Sequence, residues 1–251
     1  MSSTIIGLIS FAAIFGGVII GLFVRRRLPG QHLSTETQSA VTVSVAVIGT
    51  LSALVLGLMI TAANHSFSAR SDEVRELSLQ LIRMERNLRR YGPEADDARA
   101  KLRTWAEAKT HELFQIEGHA RPSSETTIVM LESVQDAVLA LTPKDEKQKY
   151  LRTLCVNLSS TLIQARWSLE TREGHSTPVP FLILLIFWLA IVFASFGLFA
   201  PANPTTIVVL FLCSLAVSGG IVLIEELDNP QSGLIQISAD SMRKALFEIT
   251  H

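Results

Sequence analysis

The sequence predicts an all-α membrane protein with four transmembrane helices and an antiparallel helical bundle inserted between the second and the third. Three observations carry this. Residues 1–24, 37–69 and 174–224 contain no Asp, Glu, Lys or Arg, although the chain has 22 basic and 23 acidic side chains. An unpaired charge in hydrocarbon costs several kcal/mol, so windows this long and clean belong in a bilayer. A helix needs about 20 apolar residues to cross, which gives one span in each of the first two windows and two in the third. Between them, residues 64–178 hold 17 basic and 17 acidic side chains in an amphipathic pattern. The predicted segments are a first hairpin (1–63), the bundle (64–178), a second hairpin (179–224) and a C-terminal tail (225–251).

The first span covers about Thr4–Val24 and stops at Arg25-Arg26-Arg27. A cleaved signal peptide carries its positive charge before the apolar run, so this helix is expected to be retained. The second span covers about Val41–Ala63, the third Val179–Phe199 and the fourth Thr205–Ile224. Pro201 and Pro204 force a tight turn between the last two.

Phe67, Val74, Leu77, Leu81, Met84, Leu88 and Tyr91 follow a heptad. Counted backwards, the register reaches Ala63, Ile60, Leu56, Ala53, Gly49 and Ala46. The second span is therefore predicted to run unbroken out of the bilayer to Tyr91, about 75 Å at 1.5 Å per residue. Gly92-Pro93 ends it, and Glu94, Asp96 and Asp97 suit the start of the next helix. That helix carries Ala98, Leu102, Trp105, Leu113 and Ile116 on one face. Ser124 is a candidate cap for a helix with Ile128, Leu131, Val134, Val138 and Leu141. Thr142-Pro143 opens another, with Leu151, Leu154, Leu158, Leu162, Ala165 and Leu169. Residues 231–251 add one amphipathic helix with Met242, Ala245, Leu246 and Ile249 on one side; it docks on the bundle or lies at the membrane surface.

Two patterns inside the spans are candidate functional features. Ala13, Gly17 and Gly21, and Gly49, Ala53 and Gly57, lie four apart. Such ridges let helices approach closely, either between copies or within one subunit. Thr50, Gly57, Thr61, Asn64 and Ser68 share one face of the second span, a stripe that lines a water-filled path if several subunits ring an axis. Hydrogen bonding between helices explains it equally simply and is favoured, because none of these groups is ionisable.

Catalytic constellations are missing, so no enzyme is expected: no Gly-rich phosphate loop, no Gly-x-Ser-x-Gly elbow, and His111-Glu112 lacks the second histidine of a zinc protease. His111, Glu117 and His119 match no metal-ligand spacing. Cys155 and Cys213 are not expected to pair, and no nucleic-acid partner is expected. Glu225, Glu226 and Asp228 after the fourth span are hard oxygen ligands that could hold Ca²⁺, the one cofactor considered; a solvated boundary cluster is the favoured reading.

Leu56-Gly57-Leu58, Tyr91-Gly92-Pro93-Glu94-Ala95 and the tail Glu226-Leu227-Asp228-Asn229-Pro230 followed by Gly233-Leu234-Ile235-Gln236-Ile237-Ser238 resemble the bestrophin-like family of unknown function. The resemblance spans nearly the whole chain. Members are chiefly bacterial membrane proteins, likened to bestrophins, which are pentameric ligand-gated anion channels. It implies a multi-pass protein of the bacterial plasma membrane, a pentameric homo-oligomer with the second helix around a central pore, an acidic site after the last span and a cytoplasmic bundle. Residues 41–66 hold no aromatic side chain, unlike the bulky neck of bestrophins. The function expected is a homo-oligomeric anion channel; the alternative is a non-conducting sensor or scaffold whose bundle binds a ligand or partner.

Overall fold

The computed structural model describes residues 3–29, 34–114, 122–171, 179–201, 203–228 and 235–250, with side chains 166–171 excepted. Among these residues every regular element is helical: α1 (Ser3–Arg27), α2 (Thr35–Tyr91), a 3₁₀ turn (Pro93–Ala95), α3 (Asp96–Leu113), α4 (Ser124–Leu139), α5 (Glu146–Thr171), α6 (Val179–Phe199), α7 (Pro204–Asp228) and α8 (Asp240–Thr250). Four of them, α1, α2, α6 and α7, are long and apolar enough to cross a membrane. The predicted all-α class and its four spans are therefore present. α2 is one unbroken helix of 57 residues, about 85 Å at 1.5 Å per residue. The chain divides into a unit of residues 1–67 and 175–235 and a second of residues 68–174 and 236–251.

In the first unit α1 lies against α6 and α7. Its buried residues Gly7, Ser10, Ile14, Gly17, Val18 and Gly21 recur at helical spacing. A side chain on Gly17 would meet the Ala190 carbonyl oxygen at 2.5 Å, and one on Gly21 would meet the Leu198 nitrogen at 2.8 Å. Gly197 answers from α6, where a Cβ would lie 3.1 Å from the Val18 carbonyl carbon. The first small-residue ridge is thus a helix-to-helix contact within one subunit, built because lipid gives no hydrophobic drive to associate. Phe11, Phe15 and Phe211 form an aromatic cluster between α1 and α7, with centroids 5.4 Å apart across that contact.

In the second unit the predicted heptad is the core. Val74, Leu77, Leu81, Met84, Leu88 and Tyr91 are buried, with Leu102 and Trp105 of α3, Leu131 and Val134 of α4, and Leu151 and Leu162 of α5. The Trp105 indole donates to the Thr127 carbonyl at 3.0 Å. The C-terminal helix α8 belongs to this unit and buries Met242, Ala245 and Ile249 in the same core; Arg103 donates to the Ile249 carbonyl at 2.9 Å. Two predicted helix starts move by a few residues. The cap of α4 is Ser123, whose hydroxyl accepts from the Thr126 amide at 3.1 Å. The start of α5 is set by Asp145, which accepts from the Gln148 amide at 2.6 Å, because a capping oxygen suits this position better than the preceding Thr-Pro.

The Tyr91-Gly92-Pro93-Glu94 motif is a chain reversal with each residue accounted for. Gly92 has φ 123° and ψ −174°, a region essentially confined to glycine. Pro93 enters the 3₁₀ turn where a missing N–H costs nothing, Gln148 donates to the Tyr91 carbonyl at 3.0 Å, and Lys144 pairs with Glu94. That hydrogen bond, more than the charge alone, holds the Glu94 carboxyl below its usual range. Gly92→Ala is expected to lower bundle stability by about 1–3 kcal/mol, read as a lower melting temperature, since its Cβ would also lie 2.8 Å from Glu94 Oε2.

Candidate functional site

α2 separates two faces. Along its membrane half Val45, Ser52, Met59 and Ala63 are buried, and Val45, Met59 and Ala63 join Ile14, Val18, Leu185 and Ile221 in the first unit's core. The predicted seam is kept in part: Ala63 is buried and Leu56 and Ile60 pack against that core, while Ala46 and Ala53 are exposed and Val45, Ser52 and Met59, one residue before seam positions, are buried instead. Val45, Ser52 and Met59 lie seven apart, so the heptad continues into the membrane with these buried positions set one residue earlier.

Thr50, Gly57, Thr61, Asn64 and Ser68 all lie on the exposed face opposite that seam. The structure thus brings the five predicted stripe residues onto one surface and leaves it uncovered. Thr50 donates its hydroxyl to the Ala46 carbonyl at 2.9 Å and Thr61 to the Gly57 carbonyl at 2.8 Å. The hydrogen bonds expected between helices are here within one helix. With their protons so engaged, these hydroxyls present oxygen lone pairs outward. Val43, Val47, Leu51, Leu54 and Leu58 are exposed beside them. Of the four apolar helices α2 is the least covered, 17% of its most apolar window against 22–33% for the others. Facing hydrocarbon, the Asn64 amide would lose its hydrogen bonds to water at a cost of about 2–7 kcal/mol, so the face calls for water or another chain.

The four residues expected to pack helices divide two and two. Gly17 and Gly21 are closed by α6 as described. A Cβ on Gly49 or Gly57 would meet nothing within 4 Å, and Ala53 is exposed, so among the described residues the second ridge packs closely against no other helix. Small residues at the same spacing mark a close contact only when a partner helix arrives there.

Glu225, Glu226 and Asp228 end α7 as helical residues and are buried. The solvated cluster is thus corrected: each takes part in an interaction within the chain. Among the described residues no three His, Cys, Asp or Glu side chains come together to hold a metal ion. Adjacent helical positions diverge by about 100°, which splays Glu225 from Glu226. Glu117 and His119, and the tail motif over 229–234, lie outside the described residues. Cys155 and Cys213 are free thiols, and burial pushes the Cys155 thiol up to about 12.

One constellation escaped the sequence reading. Lys109 is buried in the bundle core, its ammonium 2.7 Å from Glu112 Oε1, while the Thr127 hydroxyl donates to Glu112 Oε2 at 2.6 Å. The signal was present: Leu102, Trp105, Lys109 and Glu112 follow the 3-4-3 spacing of a core seam.

A profile of the bestrophin-like domain matches residues 12–242. The chain belongs to the bestrophin-like family. Among solved structures, a point mutant of a bacterial bestrophin homologue from Klebsiella pneumoniae has a TM-score of 0.70 at 17% identity, with 100% of both chains covered. A second mutant of a homologue from that organism gives 0.67 at 16% identity, over 96% of this chain and 97% of the other. A mutant described only as a membrane protein gives 0.65 at 17%, over 96% of each. No curated protein matches. At these identities the structural likeness speaks for the fold, and the family assignment rests on the domain match. The likeness covers nearly the whole of each chain and agrees with the all-α fold of this bestrophin-like chain.

Proposed function

We propose that this bestrophin-like chain is one subunit of a homo-oligomeric ion channel of a bacterial plasma membrane, in which each copy turns the polar face of α2 toward a common axis. The observation that carries this reading is the uncovered stripe of Thr50, Gly57, Thr61, Asn64 and Ser68, set opposite the buried seam of the same helix. A ring of such helices encloses a path lined by neutral hydroxyls, an amide and bare glycine backbone. It offers an ion weak dipoles and no fixed charge, so binding is shallow enough for exit. Five copies follow the comparison with bestrophins, as does a bundle on the cytoplasmic side.

The test is ion flux from liposomes containing the purified protein, with chloride and potassium compared and calcium present or absent. Flux is expected from the wild type, and the ratio of chloride to potassium reads which ion the lining admits. Thr61→Trp places an indole on the exposed face, and Asn64→Leu removes its only amide one turn away; each is expected to abolish flux while insertion and oligomer size stay unchanged. A correctly inserted oligomer that passes no ion would leave a sensor or scaffold instead.

A further inference from the structure

We propose that the cleft between α2 and the α6–α7 hairpin holds one acyl chain of an anionic phospholipid, with its phosphate at Arg25. The cleft encloses about 610 Å³ and lies wholly within the membrane unit. Its inner walls are apolar, with Val45 and Gly49 from α2, Val192 and Phe196 from α6, and Leu210 from α7. Gln38 and Thr42 from α2, with Ala200 and Pro201 from the turn, line its other end. From Gln38 to Gly49 the cleft follows α2 for about 16 Å, close to half of a hydrocarbon core about 30 Å thick. Such a depth suits a chain from one leaflet. Gly49 leaves the wall open, since nothing stands within 4 Å of where its Cβ would be.

Charge decides between a lipid and a second copy of this chain. Arg25 donates from its guanidinium to the Ala200 carbonyl, which places a cation at the cleft's polar end. Arg26 follows it. Arg27, two residues on, points elsewhere and sits over the Phe23 ring at 4.5 Å. Segments 1–63 and 179–224 contain one carboxylate between them, Glu36. It lies on another side of α2, around a separate hollow with Thr35, Ser39, Ala40 and Val43. A second copy docking by its membrane face would bring a single acid to a cluster of three arginines. A phosphodiester brings the missing charge together with the apolar tail that the cleft fits.

Native mass spectrometry of the intact assembly, titrated with phosphatidylglycerol or with phosphatidylcholine of the same acyl chains, tests this. Phosphatidylglycerol is expected to bind at least ten-fold more tightly. Arg25→Gln is expected to weaken it at least ten-fold, as loss of a charged hydrogen bond does, and Arg27→Gln by no more than about five-fold, the usual worth of one arginine near an anionic lipid surface. Ala46→Phe, at an exposed lining position, is expected to remove binding and leave the oligomer intact. Equal losses for Arg25→Gln and Arg27→Gln would reduce the effect to general surface attraction and overturn the site. So would equal binding of the two lipids, or an Ala46→Phe assembly that falls apart, which would assign the cleft to a contact between copies. The arginine pair keeps the proposal exposed to failure even where the phenylalanine variant does not fold.

Discussion

Gly21→Ala is expected to destabilise the membrane unit by about 3 kcal/mol, whereas Gly57→Ala is expected to leave it unchanged or slightly more stable. The substitution is the same, both sites are helical, and alanine is the better helix former by up to about 1 kcal/mol. Only the surroundings differ. The methyl group on residue 21 would sit 2.8 Å from the Leu198 nitrogen and 3.0 Å from the Ala194 carbonyl carbon, both backbone atoms that cannot swing aside. α1 and α6 must then separate, and contacts such as Val18 against Gly197 separate with them. On residue 57 the methyl group meets nothing within 4 Å. Unfolding of the purified protein in mixed micelles, titrated with a denaturing detergent, reads the difference directly. Equal effects would mean that the α1–α6 approach is not a packing contact. If Gly57→Ala instead disperses the oligomer while each protomer stays folded, Gly57 lies at a contact between copies, and the small ridge of α2 has found its partner there.

The same pair of glycines shows how far the sequence carries. The four spans were legible because the penalty for charge in hydrocarbon acts on every residue of a window, and no tertiary contact is needed to see it. The bundle core was legible for a similar reason, since Leu77, Leu81, Met84 and Leu88 repeat a pattern with one interpretation. Gly17-x-x-x-Gly21 and Gly49-x-x-x-Ala53 are locally equivalent, and what separates them is α6, more than 120 residues further along the chain. The membrane seam was legible in part: the seven-residue spacing carries through to Val45, but which of two adjacent positions is buried depends on residues of α1, α6 and α7 in the same core. The acidic run failed for want of context: three carboxylates in four positions look solvated until the fold buries them. The stripe on α2 is the opposite case. Its residues were readable as one face, yet only the fold shows that no other helix among the described residues covers that face, which is what turns a polar pattern into a candidate path.

Lys109→Met is expected to cost the bundle about 3–5 kcal/mol, while Lys109→Met with Glu112→Leu is expected to be neutral or stabilising by about 1–4 kcal/mol. The single change removes the ammonium from a carboxylate that has little access to solvent; the side chains of Lys109 and Glu112 are 2% and 10% exposed. Glu112 would keep the Thr127 hydroxyl as a donor, but a neutral donor does not offset the lost ammonium. The double change removes both charges and supplies apolar volume beside Trp105 and Ala106, which are already fully buried. Thr127 is not stranded by it, because its hydroxyl also lies 3.0 Å from the Ser124 carbonyl. Thermal or denaturant unfolding followed by circular dichroism gives both values, and the pair forms a double-mutant cycle whose interaction energy should exceed about 3 kcal/mol. If the double variant is as unstable as the single one, the pair holds the bundle by more than charge neutralisation. If it is more stable and still conducts, the ion pair is a cost the bundle carries without need for permeation. A stable double variant that assembles but has lost flux would instead connect this buried pair to the gating of the pore.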